Sequence, residues 1–168
     1  MKRFIAASVV VLLASVASAQ TVDVKSNVVR IKVGTSYGSG AYLGNQAVLS
    51  CAHLFDGEGT KSADVWFHNG QHFPATLKGM DRRWDQSLLT LSGTPASTGI
   101  PIALTNPRPG DVLKAYGYGK GNMLQLTTGR VTKYVANGTG PTDWIEATGR
   151  VNEGTSGGPL IDARGHLV

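Results

Sequence analysis

The chain has 168 residues, of which 41% are hydrophobic and only 16% charged; that balance supports a packed core and excludes a disordered chain, and the length suits one domain or two small subdomains. Glycine is abundant, at 22 residues, which favours a turn-rich β protein over a helical one. The formal charge is +5, but Lys and Arg are scattered with no run longer than two, the mark of a solvated surface and not of a nucleic-acid footprint.

In chain order, the first element reads as an export leader. Lys2 and Arg3 form a positive start, residues 4–16 are apolar, and Ala17-Ser18-Ala19 is a small-x-small cleavage site. The apolar run is shorter than the roughly 20 residues a membrane span needs. A signal peptide over residues 1–19 is therefore expected, with a mature chain from Gln20, a secreted or periplasmic destination and no membrane span after cleavage. Removing Lys2 and Arg3 lowers the net charge to about +3.

After Gln20 the pattern has a period of two. Val29, Ile31 and Val33 alternate with Arg30 and Lys32; Val65 and Phe67 flank Trp66; Ile145 and Ala147 alternate with Trp144 and Glu146. Short runs of this kind between turn signals predict an antiparallel all-β protein. Asn69-Gly70 marks a hairpin tip, and Asp162-Ala163-Arg164-Gly165 marks a second turn near the end of the chain. Residues 92–109 are rich in Ser, Thr, Gly and Pro and read as a connector between two halves. The expected organisation is a first unit over residues 20–94, a linker over 95–109 and a second unit over 110–168. Gly117 to Gly121 contains a Gly-x-Gly-Lys-Gly string without P-loop spacing, which reads as turn and strand.

The chemistry concentrates in Gly154-Thr155-Ser156-Gly157-Gly158-Pro159-Leu160. An acyl-transfer nucleophile needs a sharp turn that exposes its hydroxyl, and glycine adopts the positive φ such turns require. Ser156 is the candidate nucleophile. The N–H groups of Gly154 and Ser156 are the candidate oxyanion donors, worth about 3 kcal/mol each in the transition state. A serine hydroxyl also needs a base. Among His53, His68, His72 and His166, His53 alone closes an apolar strand-like run, Val48-Leu49-Ser50-Cys51-Ala52. His68 and His72 flank the Asn-Gly turn, where a hairpin breaks the helical spacing of a metal pair, so no metal site is expected. The third member must orient the imidazole. Asp85 precedes the buried-looking Gln86-Ser87-Leu88-Leu89-Thr90-Leu91, and Asp81 lies four residues earlier; either could equally be a turn carboxylate. Cys51 is the chain's one cysteine, so no internal disulfide framework exists. It reads as a small buried core residue, with a thiol nucleophile beside His53 as the sharper alternative.

Taken together, these segments resemble the trypsin-like serine peptidases, above all the HtrA-like branch of exported bacterial proteases. The residues that carry the likeness are Gly38-Ser39-Gly40, the run Val48 to His53, Asp81 and Asp85 with Leu88-Leu89, Gly110-Asp111 with Ala115-Tyr116-Gly117-Tyr118-Gly119, Gly129-Arg130-Val131 and the Ser156 segment. The resemblance implies a double antiparallel β-barrel of the six-stranded type and a triad of His53, Asp85 and Ser156, with Asp85 in the catalytic place. It also implies hydrolysis of polypeptide substrates without metal or organic cofactor. Thr155 stands where digestive relatives carry Asp, so activation by an ion pair to a new N-terminus is not expected. Arg150, six residues before Ser156, falls where the family often builds the base of its primary pocket; the alternative is a solvated strand residue. A competing reading keeps the fold but not the turnover: a catalytically weak or inactive module that binds peptides or envelope partners. Leu160-Ile161 and His166-Leu167-Val168 supply too few strands to close a second barrel, so the second barrel is expected to be incomplete, the chain truncated at its C-terminus, one wall of the substrate pocket missing and the 168-residue form a poor enzyme.

Overall fold

The computed structural model describes residues 22–57, 59–136 and 144–168. The expected signal peptide lies outside these residues. A one-turn helix, α1 (Val24–Asn27), leads into β1 (Val28–Val33), β2 (Ser36–Gly44) and β3 (Ala47–Ser50). Next come a 3-10 turn (Ala52–Phe55), β4 (Ser62–Phe67), β5 (His72–Asp81) and β6 (Gln86–Leu91). The second half holds β7 (Val112–Tyr118), a 3-10 turn (Lys120–Asn122), β8 (Leu124–Val135), β9 (Trp144–Ala147) and β10 (Leu160–Ile161).

The first six strands close into a barrel in the order β1-β2-β3-β6-β5-β4, every pair antiparallel. The period-two reading holds at residue level. Val29, Ile31 and Val33 point inward, where they join Tyr42, Val48, Val65, Phe67 and Leu89 in one buried cluster. Burying a side chain of this size contributes about 1.5–3 kcal/mol. The β4–β5 hairpin turns where Asn-Gly predicts it: Gly70 has φ 84°, and Phe67 N–H donates to the Gln71 carbonyl at 2.9 Å.

The second half forms an open four-stranded sheet, β10-β7-β8-β9, among the described residues. The architecture is thus the all-β pair expected, one closed barrel and one incomplete partner. The turn at Asp162 also holds, with Gly165 N–H donating to the Asp162 carbonyl at 3.1 Å. The strand start expected at His166 is reduced to single bridges from Leu167 to Ile161 and to Ile102.

A second apolar cluster welds the halves. Val28 and Ala41 from the barrel meet Tyr116 and Ile161 from the sheet, with Ile100 and Leu167 between them. The proline-rich connector is pinned as well. Buried Asn27 accepts from the Ser97 hydroxyl at 2.7 Å and the Gly99 amide at 2.9 Å, and Ile100 N–H donates to the Tyr42 carbonyl at 2.8 Å. This seam fixes where the Ser156 turn sits relative to His53.

Candidate active site

β3 stops at Ser50, so His53 does not end a strand as its apolar run suggested; it lies in the 3-10 turn Ala52–Phe55. The cause is hydrogen bonding from β6 and the loop before it. Ala52 N–H donates to the Asp85 carbonyl at 3.1 Å, and the Ser87 hydroxyl donates to the Cys51 carbonyl at 2.9 Å. These bonds occupy the strand-end groups and bend the chain, and Asp56 N–H closes the turn on the His53 carbonyl at 3.1 Å.

Asp85 has φ 50°, a left-handed conformation that Asp tolerates better than most residues. Its carboxylate grips His53 twice. One oxygen accepts the His53 main-chain N–H at 2.9 Å; the other lies 2.7 Å from Nδ1. The two side chains are 49% and 38% exposed, so the pair faces solvent at the edge of the barrel. With Asp85 on Nδ1, the neutral imidazole carries its proton there and leaves Nε2 as the basic nitrogen. Asp81 does something else: its Oδ1 accepts the Arg83 and Trp84 amides at 2.9 and 3.2 Å, as a turn carboxylate.

His53 Nε2 meets the Cys51 Sγ at 3.5 Å. Cys51 is buried, and burial, helped by the Asp85 carboxylate, pushes its thiol above the ordinary value. The thiol therefore stays protonated at neutral pH and packs as a small core residue. No hydrogen bond joins Ser156 to His53 among the described residues.

The Ser156 turn is built as its glycines suggested. Gly154 has φ 89° and Gly157 φ 79°. A Cβ on Gly157 would lie 2.4 Å from Ser50 Oγ and 2.5 Å from the Ser39 carbonyl oxygen, so this turn docks directly on the first barrel. Thr155 N–H donates to the Asn152 carbonyl at 3.2 Å and Gly158 N–H to the Thr155 carbonyl at 3.0 Å. Ser156 itself is exposed. Among the described residues, no hydrogen bond engages the Gly154 or Ser156 N–H.

The remaining sequence candidates fall elsewhere. His72 pairs with Asp64 at 2.8 Å and stacks on Trp66. His166 lies 3.8 Å from Asp162, and His68 is exposed next to the hairpin tip. Among the described residues, no group of three His, Cys, Asp or Glu is placed to hold a metal. Arg150 is exposed, and its carbonyl accepts the Thr127 hydroxyl at 2.9 Å. Sequence reasoning missed the roles of Ser39, Ser50 and Ser87, three buried hydroxyls beneath the site; the only local signal was the small-residue run Gly38-Ser39-Gly40.

A family model for the trypsin-like peptidase domain matches residues 38–168. The putative serine protease HhoA of Synechocystis is 28% identical over 142 residues, which is 78% of this chain and 35% of that protein. The serine endoprotease DegS of Escherichia coli is 32% identical over 111 residues, 62% of this chain and 30% of that protein. Among solved structures, the serine endoprotease from Yersinia pestis superposes with a TM-score of 0.74 at 25% identity, over 86% of this chain and 52% of that one. The chain spans about a third of the length of the curated relatives it matches. With the family match running through the Ser156 turn and the barrel that carries His53 and Asp85, the chain belongs to the trypsin-like peptidase domain family.

Proposed function

We propose that the chain is a serine endopeptidase that works through an acyl-enzyme on Ser156. The observation that carries this reading is the double grip of Asp85 on His53, at 2.9 and 2.7 Å. That grip holds Nδ1 as the donor and frees Nε2 to act as base. In the proposed reaction, the Ser156 hydroxyl attacks a peptide carbonyl while Nε2 takes its proton. The amides of Gly154 and Ser156 receive the oxyanion. Nε2 then returns the proton to the leaving amine, and water hydrolyses the ester by the same route. Catalytic hydrogen bonds often tighten only with substrate in place, and the His53–Ser156 bond is assigned to that stage. The substrate is a polypeptide. Residues 1–19 direct export as a cleaved leader, and the units divide at residues 95–109. Arg150 is retained as a candidate specificity residue, reaching acidic or polar side chains by charge-assisted hydrogen bonds.

One observation favours the second reading, a peptide-binding module without turnover. Nε2 rests against Cys51 Sγ at 3.5 Å and not on Ser156. Incubation with an unfolded polypeptide separates the two. Fragments released by the wild-type chain and absent with Ser156→Ala support the peptidase; binding without cleavage supports the module.

A further inference from the structure

We propose that Ser39, a residue of the first barrel, is a positioning residue that sets the geometry of the nucleophile turn. The inference rests on Ser156 being the nucleophile. Ser39 is completely buried, and every polar group it owns is engaged. Its hydroxyl donates to the Gly154 carbonyl at 2.8 Å and accepts the Tyr118 N–H at 2.7 Å. Its own N–H donates to the Ser156 carbonyl at 2.8 Å. Its carbonyl accepts the Ser50 hydroxyl at 2.6 Å.

The placement of these bonds matters more than their number. Gly154 and Ser156 are the two residues whose amides must aim at one oxygen. Peptide units are planar, so a fixed carbonyl fixes the N–H on the same unit. Ser39 holds the carbonyls of Gly154 and Ser156 from the outside. Gly158 N–H holds the Thr155 carbonyl between them at 3.0 Å, and the Thr155–Ser156 unit carries the Ser156 N–H. Three consecutive peptide planes are thereby oriented: the two that Ser39 holds carry the Thr155 and Gly157 N–H groups and bracket the one that carries the Ser156 N–H. The Tyr118 bond extends the tie to the end of β7, and Gly154 lies against the same place: a Cβ there would sit 2.6 Å from the Tyr118 carbonyl oxygen.

Gly38 fits this role. A Cβ on Gly38 would lie 2.8 Å from the Leu54 side chain and 3.1 Å from the Ser156 carbonyl oxygen, so its absence lets β2 come close enough to the turn for Ser39 to reach it. A buried hydroxyl with two well-made bonds is also costly to lose, because each partner is left unsatisfied. Such a loss would show as lower stability alone if Ser39 were only a weld between the halves.

The experiment compares wild type, Ser39→Ala and Ser156→Ala on a p-nitrophenyl ester, whose first turnover reports acylation. For Ser39→Ala the expected result is a fall in the acylation rate and kcat on the order of 10²-fold, the effect of a misplacement of about 1 Å, with KM changed less than about twofold. An acylation rate within about threefold of wild type, whatever the change in melting temperature, overturns the assignment. If Ser39→Ala does not fold, Ser50→Ala, which removes the hydroxyl that donates to the Ser39 carbonyl, is measured the same way. A lower kcat at unchanged KM supports the clamp, and an unchanged kcat overturns it. Failure of the nucleophile reading looks different: wild type and Ser156→Ala would then release nitrophenol alike.

Discussion

Asp85 binds His53 through both carboxylate oxygens, one on the main-chain N–H at 2.9 Å and one beside Nδ1 at 2.7 Å. The first bond places the backbone of the 3-10 turn and the second sets the ring and its tautomer. Replacing Asp85 by Asn keeps the shape but offers an N–H where an acceptor is needed. The expected loss in kcat is on the order of 10⁴-fold, the value for the serine-protease template. Asp81→Asn should cost far less, since Asp81 serves the amides of Arg83 and Trp84. Steady-state kinetics on both variants check this; equal losses would contradict the choice of Asp85.

The contact between Cys51 and His53 gives a second prediction. Burial holds the Cys51 thiol above its ordinary value, and the neutral thiol is a poor nucleophile. Iodoacetamide at neutral pH should therefore leave activity intact. Rapid inactivation by the thiol reagent, with alkylation located on Cys51, would transfer the nucleophile's role to Cys51.

Gly157 tests the docking of the Ser156 turn. At φ 79° a side chain is already disfavoured by about 1–2 kcal/mol. The added Cβ would also sit 2.4 Å from Ser50 Oγ, 2.5 Å from the Ser39 carbonyl oxygen and 2.7 Å from Cys51 N. Gly157→Ala should lose about 2–4 kcal/mol of stability and nearly all turnover. Denaturant unfolding and peptide hydrolysis read the two losses; a stable, active variant would mean that the turn has room to shift.

Asp162 supplies a pH-linked prediction. Burial opposes its charge, but the amides of His166 and Arg164 and the Arg164 guanidinium outweigh that and hold the carboxyl below its ordinary value. A group lowered on folding stabilises the fold above its unfolded value and loses that contribution as pH falls through the folded one. Asp162→Ala should cost about 1–3 kcal/mol at neutral pH, and the gap should narrow in acid. Unfolding curves at neutral and acidic pH decide it; a gap that does not vary with pH would show that charge plays no part.

Much of this arrangement is legible in the chain. Alternation at Val29, Ile31 and Val33, the Asn69-Gly70 tip and the Asp162 turn are local signals, and local physics decides them. The glycines around Ser156 announce a turn because positive φ leaves a compositional trace. His53 stands out by elimination among four histidines, but the 3-10 turn that carries it depends on Asp85 and Ser87, more than 30 residues away. Ser39 is harder still. Its hydroxyl reaches Gly154 across 115 positions, and no periodicity or spacing records a bond of that kind. The choice between Asp81 and Asp85 was likewise open locally, because both precede the same strand and only the positive φ of Asp85 turns its carboxylate toward His53.

The most direct measurement is covalent labelling with a serine-directed fluorophosphonate, with the modified residue located by mass spectrometry. Attack by the activated hydroxyl forms a serine–phosphorus bond and expels fluoride. The account predicts one adduct, on Ser156, lost in Ser156→Ala and strongly slowed in His53→Ala. No adduct on the folded wild-type chain, or an adduct on another residue, would contradict it.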